Sequence, residues 1–165
     1  MIRIIHLSDF HLNEQNLRDW NNYVKVALIS KLKELQKEKK IDLVLCTGDN
    51  IDKGGKDFKS AKTALNLFKT EILSPVVNEF QLNLNQFLII PGNHDIERNK
   101  DREITEKGLI EHLKTHENIS NFILNALEKN DFYGIERIRA FNEFEKELYS
   151  ESSINHSSFG VKIIS

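Results

Sequence analysis

Three short apolar runs along the chain predict three buried strands. Residues 2–7, 41–46 and 87–90 are rich in isoleucine, leucine and valine and alternate little with polar residues. Short runs of this kind, bounded by polar or turn-forming residues, are typical of parallel strands that are covered on both faces. We therefore expect the first run to form a central strand of a sheet.

Between these runs, apolar residues recur at spacings of three and four, which predicts amphipathic helices. The first helix is expected from about residue 17 to residue 40. Its apolar positions are Trp20, Tyr23, Val24, Ala27, Leu28, Leu32 and Leu35. The second begins near Ser60 and reaches Pro75, where it should kink or restart because proline interrupts a helix. The alternation of strands and helices predicts an α/β fold with a mostly parallel central sheet and flanking helices.

The chain changes character after Asp95. Residues 97–101 are strongly charged, and two helical patterns follow, the first with Asn118 as its expected N-cap. We predict that residues 97–158 form a helical insertion that ends in a polar loop from residue 150. Residues 161–164 are predicted to form a fourth strand. Because the sequence shows no internal repeat, residues 1–165 are expected to form one domain that contains this insertion.

Composition and charge narrow the class of protein. The 165 residues are 39% hydrophobic, which is enough for one domain with a core. The formal net charge of −2 provides no global attraction to nucleic acid, so such a contact would need a local basic patch or metal ions. The single cysteine, Cys46, lies within an apolar run and predicts a buried, reduced thiol, as in a cytoplasmic protein. No signal peptide or run of membrane-spanning length is visible, so no membrane partner is expected.

Each predicted strand is followed directly by side chains that can bind metal ions or protons. These groups are Asp9-Phe10-His11, Gly48-Asp49-Asn50 and Gly92-Asn93-His94-Asp95. Because α/β sheets place their ligand sites at the carboxyl ends of strands, we expect the three groups to line one site. Asp9 and His11 are two residues apart in an extended segment, so they can reach one ion as a chelating pair.

In this order, the three groups resemble the first three motifs of the calcineurin-like metallophosphoesterases. The resemblance covers residues 1–100 well and the remainder loosely. It implies the first half of that family's sandwich fold. The family's later ligands, a lone histidine and a Gly-His-x-His segment, do not follow the predicted fourth strand. We therefore expect a domain that is incomplete at its C-terminus, with a missing segment or a partner chain covering the sheet edge at residues 161–165.

The resemblance also implies a centre of two divalent metal ions, manganese first, with iron, zinc and nickel as alternatives. The implied ligands are Asp9, His11, Asp49 and Asn93, with Asp49 bridging the two ions. Two such ions about 3.5–4 Å apart repel by roughly 19 kcal/mol at an effective dielectric near 20. A shared carboxylate whose oxygens lie about 2.1 Å from the ions attracts the two ions by roughly 30 kcal/mol on the same scale. The bridge therefore outweighs the repulsion.

In the same resemblance, His94 faces the leaving group as a general acid or as a stabiliser of charge, and Asp95 orients it. Asp52 is interpreted as a structural turn residue. His6, inside the first strand, is interpreted as a core or supporting histidine. Of the histidines that precede the fourth strand, only His156 is an alternative metal ligand.

The function implied by the resemblance is metal-dependent hydrolysis of a phosphoester by attack of a metal-bound hydroxide. The substrate would be a phosphodiester, such as a nucleic acid or a nucleotide, or a phosphomonoester. Catalytic metal sites usually need about three protein ligands per ion, so the missing ligands would come from a longer polypeptide or a partner. The alternative function is a non-catalytic interaction or assembly module that retains the fold.

Overall fold

A computed structural model describes residues 2–98, 100–129, 136–150, 154–156 and 162–164. The chain divides into two compact units. The first consists of Met1–Glu97 and Ala140–Ser165, and the second is Arg98–Arg139. The second unit lies within the expected helical insertion of residues 97–158, whose status as a separate insertion stays a prediction.

The first unit is built around a parallel sheet of three strands, β1 (Ile4–Leu7), β2 (Leu43–Thr47) and β3 (Phe87–Ile90), in the order β1-β2-β3. Leu7 pairs with Cys46 and Cys46 with Ile89, so the three strands end at nearly the same level. This arrangement confirms the α/β fold class with a parallel sheet. It also brings the three loops that follow the strands to one edge of the sheet.

The position of β1 corrects one prediction. Within the described residues β1 pairs with β2 alone, and Ile4 is 49% exposed, so β1 is an edge strand and not a central one. His6 is also exposed and lies beside the hydroxyl of Thr47, so its assignment to the core is wrong. An apolar run shows that a segment tends to be buried, but strand order depends on how the crossovers place the strands.

The first helical region is broken into three parts. It consists of α1 (Glu14–Asp19), a π-helical turn at Trp20–Val24 and α2 (Lys25–Glu38). Asn13 caps α1 by accepting a hydrogen bond from the backbone of Asn16. The π-helical turn inserts an extra residue and shifts the apolar stripe, so Trp20 is buried while Tyr23 is 72% exposed. The continuous buried face predicted for this helix is therefore realised only in part.

The second helical region also contains a π-helical turn. It runs through α3 (Ala61–Phe68), the turn Lys69–Leu73 and α4 (Ser74–Glu79). Ser60 caps α3 by accepting a hydrogen bond from Thr63. Pro75 directly follows the π-helical turn, and the backbone at Leu73 and Ser74 keeps right-handed helical angles. Of the kink or restart predicted at Pro75, the restart is therefore wrong, because the helix continues through the proline after widening into the π-helical turn.

The core of this unit is formed by side chains from β2, β3 and the second helical region. Its fully buried side chains include Val44, Ala64, Leu65, Phe68, Ile72, Phe87 and Ile89. Cys46 points into the same core and has no disulfide partner, as predicted. Burial raises the pKa of the Cys46 thiol to about 12, so it stays protonated at neutral pH.

The second unit contains α5 (Lys100–His112) and α6 (His116–Lys129). The sequence did not indicate α5, because its charged residues leave no apolar stripe and Gly108 falls inside it. The expected cap of α6 was one turn too late: Thr115, not Asn118, lies at its start and accepts a hydrogen bond from the Asn118 backbone. None of the helices in the described part of the chain is long and apolar enough to span a bilayer.

The last helix, α7 (Arg139–Leu148), belongs mainly to the first unit and is followed by Tyr149. The Tyr149 hydroxyl donates to the carbonyl of Phe87 at 2.7 Å and accepts from the N–H of Ile89 at 3.2 Å. Burial raises the pKa of this hydroxyl, so it keeps its proton and remains a donor. Tyr149 thereby satisfies backbone groups of β3 on the side away from β2.

Two short strands end the described chain. They are β4 (Ile154–His156) and β5 (Lys162–Ile164), and they pair in antiparallel fashion. The predicted fourth strand is confirmed over residues 162–164. The prediction of a polar loop from residue 150 is wrong at residues 154–156, which form β4 and include His156. The proposed cover of the edge at residues 161–165 stays a prediction, and residues 161 and 165 lie outside the described residues.

Candidate metal centre

The loops that follow the three strands are joined by backbone hydrogen bonds. The N–H of His11 donates to the carbonyl of Asp49 at 2.8 Å, which joins the loops after β1 and β2. The N–H of Gly54 donates to the carbonyl of His94, also at 2.8 Å, which joins the loops after β2 and β3. The three sequence motifs therefore converge at the carboxyl edge of the sheet, as expected.

Two glycines allow the second and third loops to approach closely. A Cβ atom on Gly48 would lie 2.9 Å from the Cα of Gly92, and Gly48 also has a φ of +89°. A Cβ atom on Gly92 would lie 2.3 Å from the Oδ1 atom of Asp49. Glycine is thus required at both positions by space, and at Gly48 also by backbone conformation.

Three of the four predicted metal ligands have left-handed backbone conformations. The φ angles are 59° at Asp9, 42° at His11 and 51° at Asp49. Such conformations cost a non-glycine residue on the order of 1–3 kcal/mol and occur mainly where the surrounding structure holds them for a function. The same conformation occurs at Lys53, Lys59 and Gln81, so it accompanies the motif residues without being confined to them.

The side chains of these residues meet with that of His94. The Nε2 atom of His11 lies 3.7 Å from Oδ2 of Asp49 and 3.8 Å from Oδ1 of Asp9. One ligand atom each from His11, Asp49 and His94 lies within 4.8 Å of the others. The rings of His11 and His94 meet edge to face with their centroids 4.6 Å apart. This cluster of imidazole and carboxylate groups can hold a metal ion.

The other predicted ligand, Asn93, is exposed and directly precedes His94. The role of Asn93 as a metal ligand stays a prediction. The sequence analysis predicted a catalytic role for His94, but the ring of His94 lies within the cluster of possible metal ligands. His94 therefore has two candidate roles, as a metal ligand and as a general acid. One ring nitrogen cannot serve in both roles, because a protonated nitrogen cannot bind a metal ion.

Asp95 holds the loops together and does not lie against the ring of His94. Its carboxylate is fully buried and accepts hydrogen bonds from the N–H of Ile51 at 2.8 Å, the N–H of Gly92 at 2.7 Å and the amide of Asn50 at 2.9 Å. Burial raises the pKa of Asp95, and these hydrogen bonds act in the opposite direction. Asp95 thus bridges the second and third loops, which differs from the orienting role expected of it.

We expect Asp95→Asn to destabilise the protein by about 1–3 kcal/mol, because the new amide would point a donor at existing N–H donors in a buried site. Urea unfolding followed by circular dichroism measures the change. Asp57→Asn is the matched control, since Asp57 is exposed and its variant should unfold at the original urea concentration. Equal midpoints for the two variants would contradict the bridging role.

Asp52, which the sequence analysis interpreted as a structural turn residue, lies beside the ligand cluster. Its Oδ1 atom lies 2.8 Å from Nδ1 of His94 and 4.0 Å from Nδ1 of His11. Burial alone would raise the pKa of Asp52, but hydrogen bonds from His94 and Lys53 lower it below its usual value. Asp52 is therefore an anion at neutral pH. The signal in the sequence was its position three residues after Asp49, where it resembles the acidic residue downstream of the family's second motif.

The contact with Asp52 also determines the tautomer of His94. The backbone N–H of Lys53 approaches the same Nδ1 atom, but at 3.4 Å, which is longer than the 2.8 Å contact with Asp52. One ring nitrogen cannot donate and accept at once, so we assign its proton by the shorter contact. Nδ1–H then donates to Asp52, and Nε2 is the nitrogen that remains for chemistry.

Comparison with known proteins finds one matching family and one curated relative. The model of the calcineurin-like phosphoesterase family matches residues 2–162. A metallophosphoesterase-like protein of Bacillus subtilis (strain 168), YydB, described as uncharacterized, is 26% identical over 147 residues. The match covers 89% of this chain and 28% of that relative, so the chain spans little more than a quarter of the relative's length. No solved structure matches the chain.

Proposed function

Because the chain belongs to the calcineurin-like phosphoesterase family, we propose that it hydrolyses phosphoester bonds with divalent metal ions held at the ends of its strands. The observation that carries this proposal is the meeting of His11, Asp49 and His94 within 4.8 Å. Three separate loops supply these residues, and left-handed backbone conformations at His11 and Asp49 support a functional reason for the arrangement.

The donor atoms of the site suit a first-row divalent metal. Imidazole nitrogens favour zinc, iron and nickel, and carboxylate oxygens favour manganese, so a mixed set accepts several of these ions. We propose that two divalent ions, manganese first, would be held by Asp9, His11, Asp49 and Asn93. When bound, such ions polarise a phosphoryl oxygen and lower the pKa of a water molecule.

Residues of the chain would then protonate the leaving group. Asp52 accepts a hydrogen bond from Nδ1–H of His94 at 2.8 Å and so fixes the orientation of the ring, with Nε2 as the nitrogen that can face the substrate. From Nε2, His94 would donate a proton to the leaving oxygen. General acid catalysis of this kind typically raises the reaction rate by about 10²–10⁴-fold. We propose His94 as the general acid and Asp52 as its positioning residue.

The experiment that tests the proposal measures hydrolysis by the longest native polypeptide that contains this chain, with manganese, iron(II), zinc or nickel. The substrates are p-nitrophenyl phosphate, a monoester, and bis(p-nitrophenyl) phosphate, a diester. We expect release of p-nitrophenol that requires metal and stops with a chelator. If neither ester is cleaved with any of these ions, the proposal is wrong and the alternative of a non-catalytic module gains support.

We expect Asp52→Asn to lower kcat by roughly 10–100-fold while leaving KM and metal affinity unchanged, because it weakens the positioning of His94 without removing a ligand. Steady-state kinetics and calorimetric metal titration measure the two effects separately. Asp57→Asn, in the same loop and exposed, should match the original protein in both. A parallel loss of metal binding in Asp52→Asn would make Asp52 a ligand and contradict the positioning role.

The first substrates to compare are phosphomonoesters and phosphodiesters, including nucleotides and nucleic acid. Basic residues do not distinguish these classes, because the net charge of the chain is −2. The cytoplasmic location expected from the single buried cysteine stays a prediction.

A further inference from the structure

A cavity of about 420 Å³ opens beside Asp9, between the end of β1 and the first helical region. Its walls include Leu7, Phe10, Trp20, Val24 and Leu28. This size is typical of sites that bind small molecules, which are mainly apolar with a few polar groups. Of its lining residues, the proposed chemistry uses Asp9 alone. We call this cavity the Trp20 cavity.

The Trp20 cavity shares Asp9 with the candidate metal centre. Asp9 lines the cavity, and its Oδ1 atom lies 3.8 Å from Nε2 of His11. Ser8 also lines the cavity and donates a hydrogen bond to the carboxylate of Asp9. A phosphate held near Asp9 would therefore place the group esterified to it at the cavity mouth.

Two aromatic side chains form fixed walls of the Trp20 cavity. The rings of Phe10 and Trp20 meet edge to face, with centroids 5.7 Å apart at 74°. The indole N–H of Trp20 donates to the carbonyl of Glu71 at 2.9 Å, and Phe10 also packs against Phe68 at 5.4 Å. Because these contacts hold both rings in place, they form preorganised apolar surfaces for a flat ring.

The charges that line the Trp20 cavity select against a nucleic-acid strand. The ionisable residues in its lining are Asp9 and Asp19, and the lining contains no lysine or arginine. A nucleic-acid backbone or a polyphosphate would need cations there. Asn16 and Asp19 supply polar atoms that can meet the N–H groups of a nucleobase.

We propose that the Trp20 cavity binds the nucleobase of a small substrate, a nucleoside monophosphate, whose phosphate lies at the metal centre. This inference rests on the proposed function for the phosphate, but binding of the base depends on the cavity alone. It narrows the substrate class from phosphoesters in general to mononucleotides, and it excludes extended nucleic acid from this part of the site.

The test uses the fluorescence of Trp20, which is the only tryptophan in the chain. Metal-free protein is titrated with adenosine, with adenosine monophosphate and with ribose 5-phosphate, which lacks the base. We expect adenosine and adenosine monophosphate to change the fluorescence and ribose 5-phosphate to have no effect. Manganese should lower the Kd of adenosine monophosphate at least tenfold and leave that of adenosine unchanged.

A matched pair of variants tests the location. Val24→Phe fills the cavity and should weaken adenosine binding at least tenfold, while Val26→Phe should have no effect because Val26 is 72% exposed and lies outside the lining. Val24 is itself 47% exposed, so its replacement should leave the fold intact, which circular dichroism checks.

The outcomes separate the two proposals. Hydrolysis of p-nitrophenyl phosphate without any response of Trp20 to adenosine or adenosine monophosphate would overturn the base site and leave the hydrolase. A response to adenosine that is lost in Val24→Phe, in a protein that cleaves no phosphoester, would support the base site and overturn the hydrolase. The proposed base site would be overturned if ribose 5-phosphate changed the Trp20 fluorescence as much as adenosine does. It would also be overturned if Val26→Phe weakened adenosine binding as much as Val24→Phe does.

Discussion

Gly92→Ala is expected to eliminate tight metal binding and to destabilise the fold by about 1–3 kcal/mol, the usual cost of forcing an extra methyl group into a filled space. The new Cβ atom would lie 2.3 Å from Oδ1 and 2.4 Å from the backbone nitrogen of Asp49. Asp49 already has a φ of 51°, so its backbone cannot move without losing the conformation that aims its carboxylate. Calorimetric titration with manganese and urea unfolding measure the two effects.

Gly108→Ala is the matched control for this substitution. Gly108 lies within α5, and a Cβ atom there would have no neighbour within 4 Å. Alanine is favoured over glycine in a helix by about 0.5–1 kcal/mol, so this variant should be as stable as the original protein or slightly more so, with unchanged metal affinity. If Gly92→Ala bound manganese as tightly as Gly108→Ala, the close approach of the two loops would not be needed for the site.

The sequence could predict the location of the site because its main signal is local. Each candidate group directly follows an apolar strand, and parallel strands necessarily bring their carboxyl ends to one edge of the sheet. The approach of Asp9, His11 and Asp49 therefore required only that the three strands pair in parallel. Their left-handed backbone conformations were not visible in the sequence, since these residue types are common in many conformations.

The partners of Asp52 and Asp95 could not be predicted in the same way. Asp52 meets His94 across 42 positions in the chain, and Asp95 meets Asn50 across 45. Which of the two carboxylates reaches the ring depends on how the loops after β2 and β3 pass each other. The motif places Asp95 next to His94 in sequence, but neighbouring residues in a turn point their side chains in different directions. Sequence adjacency therefore suggested the wrong partner for the ring.

The fold shows the same division between local and distant information. The strands and the helices between them follow from local patterns, whereas the closure of the β3 edge depends on Tyr149, which lies 62 positions after Phe87. The π-helical turn at Trp20–Val24 changes which apolar side chains face inward without changing the composition of the helix. That turn helps to form the Trp20 cavity, so the cavity also had no signal in the sequence.

Asp49→Asn is expected to weaken metal binding by roughly a thousandfold or more. The substitution removes one negative charge next to the metal position, and one pair of unit charges about 4 Å apart is worth about 4 kcal/mol at an effective dielectric near 20. The Asp49 side chain is only 18% exposed, so water screens this attraction weakly. Asparagine keeps an oxygen that can accept the hydrogen bond from the His94 backbone, now 3.0 Å long, so the loops should stay in place.

The measurement for Asp49→Asn is calorimetric titration with manganese, with urea unfolding to confirm that the fold is retained. Asp57→Asn removes the same charge from an exposed position of the chain and should bind manganese like the original protein, because an exposed charge is screened by water and salt. An equal, small loss in both variants would mean that only the overall charge matters. Manganese would then be held elsewhere, and the convergence of the three strand ends would need another explanation.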